Sequence, residues 1–268
     1  MGTVKAVVTG AAGRMGGRII SLIRETPGIE LAGALERTGH PSVGSDAGEV
    51  AGCGRTGIVI TDDLADILGG ADLYIDFSVP HASLENLRTA ASLEKSAVIG
   101  TTGFGPEEIE EIGSLSQDVP CVLSPNFSIG VNVIFQLIAE AAKRLGNDYD
   151  VEIVEAHHRH KKDAPSGTAM RMAQVLAEAL GRDLNKVGKY ARHGIIGERD
   201  PKEIGIQTIR GGDIVGDHTV YFAGLGETVS ITHRAQSRDN FARGAIRAAL
   251  WVAGKKPGLY DMGDVLGL

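Results

Sequence analysis

Cysteine is nearly missing from this 268-residue chain: Cys53 and Cys121 stand far apart and form no C-x-x-C pair. That excludes a disulfide framework and fits a reducing, cytoplasmic setting. Long apolar runs are also missing, none approaching the roughly 18 residues a membrane-spanning helix requires, so no membrane partner is expected. The first residues enter Val4-Lys5-Ala6-Val7-Val8 with no charged-then-apolar leader, so export is not expected. Basic residues are outnumbered, and the net charge of −7 argues against nucleic acid as a partner, because neutralising phosphates takes a basic surface. Repeats are absent as well; the 37 glycines are scattered over turns rather than gathered in a tract. What remains is 43% hydrophobic and 23% charged, enough for one large α/β domain or two smaller ones with an ample core.

The N-terminal half alternates strand and helix signals. Val4 to Val8 is a short β-branched run of the kind buried in a parallel sheet, and it meets Thr9-Gly10-Ala11-Ala12-Gly13-Arg14-Met15-Gly16. An amphipathic helix follows, with Met15, Ile19, Leu22 and Ile23 on one face. The G-x-x-G-x-x-G spacing departs from the usual G-x-G-x-x-G dinucleotide fingerprint in its middle glycine, but it meets the same demands: a tight turn, close approach of backbone to pyrophosphate, and close helix–strand packing. A second strand, Ile29 to Leu35, ends at Glu36, about 20 residues past the last glycine, where an acid takes ribose hydroxyls. Arg37 beside it can pair with a 2′-phosphate, so the cofactor expected is NADH or NADPH.

Further strands are expected at Ile58–Ile60, Leu73–Phe77, Ala97–Ile99 and Cys121–Leu123, with helices at Asp63–Leu68, from Pro80 to about Leu93, and from Pro106. The fold class is therefore α/β, a Rossmann-like doubly wound parallel sheet. Ligands bind such sheets beyond the strands' carboxyl ends, where Gly10, Ser78, Gly100 and Ser124 fall. Thr101, Thr102 and Asn126 can hydrogen-bond a nicotinamide carboxamide or ribose there, or serve as turn and cap residues.

From Ile129 the texture changes to an inserted α+β module with a mixed or antiparallel sheet: a long helix to Gly146, a strand, a helix at Thr168–Leu180, and strands at Ile204–Ile209, His218–Ala223 and Thr228–Arg234. Gly211-Gly212 and Gly224-Leu225-Gly226 read as hairpin-type turns. Along the strands Val220 and Phe222 alternate with Thr219 and Tyr221, giving one face for helices and a polar, weakly charged face that can meet another subunit. The last helix, Asn240 to Ala253, returns to the first domain. The expected division is 1–128 with 241–268 for dinucleotide binding, and 129–240 for substrate and assembly.

The densest chemistry lies at Glu152–Ala169, E-I-V-E-A-H-H-R-H-K-K-D-A-P-S-G-T-A. A strand ends at His157, a basic loop runs to Lys162, and Ser166-Gly167-Thr168 opens a helix whose unpaired amides attract negative charge. A metal is not expected at the three histidines, because Arg159, Lys161 and Lys162 repel a cation. Histidine and lysine can supply the proton that a hydride reduction consumes. The residues alone describe a nicotinamide-dependent reductase of a small anionic molecule. Two rivals are another Rossmann-type reductase of a small carboxylic acid and a non-catalytic nucleotide sensor. A semialdehyde dehydrogenase needs a cysteine nucleophile, and Cys121 lacks that setting.

The same run closely resembles the signature of the dihydrodipicolinate (4-hydroxy-tetrahydrodipicolinate) reductase family of bacterial lysine biosynthesis. The resemblance extends to V-T-G-A-A-G-R-M-G, A-L-E-R, G-S-D-A-G-E, I-D-F-S, V-I-G-T-T-G-F, N-F-S-I-G-V-N and G-L-Y-D-M-G-D-V-L. It implies that Gly10, Ala11, Ala12, Gly13, Arg14 and Met15 wrap the cofactor pyrophosphate, with Glu36 at the ribose and Arg37 near a 2′-phosphate. It assigns Gly100, Thr101, Thr102, Ser124, Pro125, Asn126 and Phe127 to the nicotinamide half. His157 and Lys161 are implied as proton carriers, and His158, Ser166, Gly167 and Thr168 as the grip on a small dicarboxylate substrate. A homotetramer joined through the second-domain sheets is implied too.

Overall fold

The computed structural model describes residues 2–268, and its backbone forms two compact units, one of residues up to Ile129 with Asp239–Leu268 and the other of Gly130–Arg238. Among the described residues no helix is long and apolar enough to cross a membrane.

In the first unit the chain alternates β1 (Val4–Thr9), α1 (Arg14–Ile23), β2 (Ile29–Leu35), α2 (Ala47–Val50), β3 (Ile60–Thr61), α3 (Leu64–Leu68), β4 (Leu73–Asp76), α4 (Pro80–Ser92), β5 (Ser96–Ile99), α5 (Pro106–Leu115) and β6 (Pro120–Leu123). Prolines open α4 and α5, where a missing N–H costs nothing, and Asp63 caps α3 by accepting from the Ala65 and Asp66 amides. The expected strand at Ile58–Ile60 is shorter and later, because Asp46 holds the loop before it: its carboxylate accepts from the amides of Gly48, Glu49, Thr56 and Gly57.

The second unit holds α6 (Ile129–Leu145), which begins at the unit boundary, then β7 (Asp150–His157), α7 (Gly167–Ala179), α8 (Leu184–Val187), β8 (Gly188–Lys189), β9 (Ile204–Arg210), β10 (Gly216–Ala223) and β11 (Thr228–Ala235). The chain closes in the first unit with α9 (Asp239–Val252), β12 (Gly258–Tyr260) and α10 (Met262–Leu266).

The first sheet is wholly parallel, in the order β12-β6-β5-β4-β1-β2-β3. All its carboxyl ends therefore lie along one edge, and the strand order reverses between β1 and β4. Apolar clusters cover both faces. One includes Ile19, Ile20 and Ile23 of α1 with Ala245, Ile246 and Ala249 of α9. The other includes Leu68, Leu84, Leu87 and Ile112 of α3 to α5. A sheet buried on both sides explains the nearly continuous apolar runs of its strands.

The second sheet is mixed, in the order β11-β10-β7-β9-β8. Gly224-Leu225-Gly226 does turn a hairpin, between β10 and β11. Gly211-Gly212 does not: β7 lies between β9 and β10, parallel to the first and antiparallel to the second. A glycine pair marks a change of direction without specifying the strand that will be paired. Val151, Ile153, Ile204, Ile206, Val220 and Phe222 share the inner face with Ile138 of α6 and Met172 and Leu176 of α7.

Candidate active site

At the carboxyl end of β1 the backbone is tightly folded. Gly10 takes φ +61, and the Gly13 amide donates to its carbonyl at 2.8 Å. A Cβ on Gly16 would lie 2.1 Å from that carbonyl oxygen, so only glycine lets α1 start against the turn. Gly13 caps α1 without a side chain, leaving its positive end open to an anion. Glu36, at the end of β2, reaches back: its carboxylate accepts from the Ala12 amide at 3.0 Å and the Arg37 amide at 3.2 Å. Acid and glycine turn are thus one assembly, with the Arg37 side chain exposed beside it. Ala11 is wholly buried, Met15 packs on the core, and Ala12, Gly13 and Arg14 form the outward rim. A cradle that a Cβ would fill, an open helix end and a carboxylate beside them fit a dinucleotide.

Along the same edge, Asp76 ends β4 completely buried. It accepts from the Ser78 amide at 2.8 Å, the Ser78 hydroxyl at 2.6 Å, the Thr101 hydroxyl at 3.1 Å and the Asn86 amide group at 2.9 Å. The Thr101 hydroxyl is therefore committed internally, and what Thr101 offers outward is its main chain. Gly100 leaves room for the Phe77 ring, which stacks edge-on with the buried Phe127 at 5.4 Å. Ser124 donates its hydroxyl to the Asn126 carbonyl, Asn126 accepts from the Ser128 amide through its side chain, and Pro125 and Thr102 are exposed. Cys121 is fully buried in β6 and its thiol is pushed up to about 12 by burial, which makes it inert as a nucleophile.

In the second unit, alternation places Glu155 and His157 on the inner face of β7, in line with the apolar Val151 and Ile153. Opposite them in register stand Thr208 and Arg210 on β9 and, across from Glu155, His218 on β10. The inner face thus changes from apolar to polar toward the end of β7. Glu155 is 0% exposed and accepts from five groups. These are His157 Nδ1 at 2.6 Å, the Ser166 amide at 3.0 Å, Thr208 Oγ1 at 3.2 Å, and both Arg210 terminal nitrogens at 2.8 Å. Burial opposes ionisation of this carboxyl, but the bonds from His157, Arg210 and Ser166 overcome it and hold it down at about 2.

Ser166 caps α7. Its Oγ accepts from the Ala169 amide at 3.2 Å and lies 3.0 Å from His218 Nε2, so Ser166 is engaged internally through both its hydroxyl and its amide. Gly167 and Thr168 make the first turn of α7. Burial first, and the neighbouring His157 second, hold His218 down at about 4, so it is neutral near pH 7 and packs edge-on to the His157 ring at 5.1 Å. Lys161 pairs with Asp163 at 3.0 Å, and desolvation lowers His158. The arrangement can hold a proton on an oriented imidazole beside a helix N-terminus and an ammonium group.

The structure brings His157, Ser166 and the start of α7 together, and it adds Glu155, Arg210, Thr208 and His218, which sequence reasoning passed over. Glu155 had a signal, since a residue two before His157 on a strand shares its face. The other three come from strands more than 50 positions further on, and nothing local marks them.

Fold and site together define a Rossmann-type oxidoreductase that uses a nicotinamide dinucleotide. The model of the dihydrodipicolinate reductase N-terminus matches residues 4–127 and that of its C-terminus residues 130–266, and the chain belongs to that family. Proteins named 4-hydroxy-tetrahydrodipicolinate reductase are similar over nearly the full length: that of Geotalea daltonii is 61% identical over 265 residues, 99% of each chain. That of Geobacter sulfurreducens is 60% identical over 264 residues, covering 98% of this chain and 99% of the other. Among solved structures, a dipicolinate-bound dihydrodipicolinate reductase from Paenisporosarcina sp. TG-14 shares the fold with a TM-score of 0.78, at 24% identity over 97% of each chain. A scyllo-inositol dehydrogenase from Lactobacillus casei with bound NAD(H) does so at 0.59 and 12% identity, over 92% of this chain and 87% of the other.

Proposed function

We propose that this chain reduces 4-hydroxy-tetrahydrodipicolinate to tetrahydrodipicolinate with loss of water, using NADH or NADPH, in lysine biosynthesis through diaminopimelate. The observation that carries the reading is the 61% identity, across both units, with a relative of that name. The reduced nicotinamide, when bound, supplies the hydride that arrives at C4 of the substrate ring as the 4-hydroxyl leaves.

The chain's own residues do the rest. The turn Gly10–Met15 binds the pyrophosphate through main-chain amides and the positive end of α1. Glu36 keeps lone pairs for the adenosine ribose while bonded to the turn, and Arg37 serves a 2′-phosphate, so both nucleotides are accepted. The loops at Gly100–Thr102 and Ser124–Phe127 hold the nicotinamide half.

Hydroxide is a poor leaving group, so the departing 4-hydroxyl needs a proton, and His157 Nε2 carries it. Lys161, paired with Asp163, works as an ammonium that holds a substrate carboxylate and can also yield a proton. His158 and the Ser166-Gly167-Thr168 helix start take the other carboxylate, Ser166 by fixing the cap and Gly167 and Thr168 by direct contact. The reaction takes place in the cytoplasm, in a homotetramer joined through the second sheets.

Following NADPH absorbance after adding freshly condensed pyruvate and aspartate semialdehyde tests the whole reading. Rapid loss of absorbance is expected, and no loss with folded protein overturns it.

A further inference from the structure

Glu155 carries no role in the scheme above, yet it is the most heavily bonded carboxylate of the second unit. Its oxygens accept from Ser166, Thr208, Arg210 and His157, and Arg210 Nη2 also donates to the Asp163 carbonyl at 2.7 Å. An ionised carboxylate can only accept, so the 2.6 Å contact requires the proton on His157 Nδ1. The other neutral tautomer would set two lone pairs against each other at that distance. The ring has no easy escape. His218 packs against it edge-on at 5.1 Å, and Gly216 is bare where a Cβ would come within 3.0 Å of His157 Nε2. Turning the ring over would replace Nδ1 by a carbon and leave Glu155 short of one donor.

We propose that Glu155 is the positioning residue of the proton-transfer site: clamped by Arg210 and the Ser166 amide, it keeps the proton on His157 Nδ1 and so makes Nε2 the atom that exchanges a proton with substrate. The proposal rests on the reductase reading for what Nε2 acts upon. The tautomer itself does not depend on it. The titratable and charged groups around the ring are Glu155 on its own strand, Arg210 on β9, His218 on β10 and His158 in the following loop.

The test pairs kinetics with a spectroscopic readout. In the wild-type protein, ¹⁵N–¹H NMR of the His157 ring should show a neutral form protonated at Nδ1. In Glu155→Gln, turnover should fall about 10²- to 10³-fold with KM changed far less, as for amide replacement of a carboxylate that orients a catalytic imidazole. In the same variant the neutral His157 ring should no longer be held to the Nδ1-protonated form, because an amide can either accept from that nitrogen or donate to it. Arg210→Gln, which leaves Glu155 in place but unclamped, should move both readouts the same way by less. A wild-type ring protonated at Nε2 when neutral overturns the proposal even if Glu155→Gln does not fold. So does a folded Glu155→Gln enzyme with turnover within threefold of wild type and an unchanged tautomer. A wild-type protein inert toward 4-hydroxy-tetrahydrodipicolinate would instead sink the substrate assignment, and the tautomer measurement would still decide the role of Glu155.

Discussion

His157 and Thr168 separate two kinds of contribution that single residues can make. A proton delivered only in the transition state affects turnover, whereas a contact made equally to bound substrate and transition state affects binding. His157→Gln should therefore lower kcat by about 10²- to 10⁴-fold with KM nearly kept. Thr168→Val should chiefly raise KM. Steady-state kinetics in which both variants lose only KM would remove the proton role from His157.

Burial of this cluster also ties stability to pH. His218 is held at about 4, below the ordinary histidine value of 6.5, so the folded protein binds fewer protons than the unfolded chain between those values. Its contribution is present above pH 6.5 and is lost as pH falls toward 4, by on the order of 3 kcal/mol. Glu155, held at about 2, adds a second loss as pH falls from 4.5 toward 2. Melting temperature should drop between pH 7 and 4, and His218→Gln should flatten that drop. An equally steep fall in the variant would place the sensitivity elsewhere.

Among the elements, the strand–helix rhythm of the first unit was legible because its central strands β4 and β5 are buried on both faces and the starts of α2 to α5 carry a proline or an aspartate, while α1 is announced by the glycine turn. The glycine turn and Glu36 were legible as a spacing, and in the fold that spacing becomes a contact, the Ala12 amide donating to Glu36. Pairing was harder to read. Nothing in β9 or β10 announces that β7 inserts between them, because alternation fixes which face a residue occupies and not which strand it meets. For the same reason His157 and His158 could be found in one run, while Arg210 and His218 had to wait for the sheet. Element packing also yields a prediction at Gly100. A Cβ there would meet the Phe77 ring at 2.1 Å, and that ring leans on Phe127, so the two strand-end loops share one support. Gly100→Ala should cost about 1–3 kcal/mol through overpacking and weaken NADPH binding by displacing both loops. Thermal melts and fluorescence titration check it, and unchanged values in both would show that the pair repacks freely.

For the whole molecule, the proposed homotetramer would join through the outer face of the second sheet. Its rows run Gln207–Val154–Thr219–Thr232 and Ile209–Ala156–Asp217–Arg234 in register, with Tyr221 and Ile209 exposed. Charges on its central strands are paired: Asp217 bonds Arg234 at 2.9 Å, and Glu152 is clamped by Arg192 and Arg199 from the loop before β9. A sheet face with apolar side chains and self-neutralised charge gains little from water and can meet its own copy. If the tetramer forms through it, sedimentation should give four times the 28.1 kDa chain mass. Val154→Lys would bury an unpaired ammonium mid-face, a cost of several kcal/mol per interface. That variant should sediment as smaller species while keeping the far-UV circular dichroism of the wild type. A wild-type chain that runs at 28.1 kDa and turns over at full rate would show that each protomer works alone.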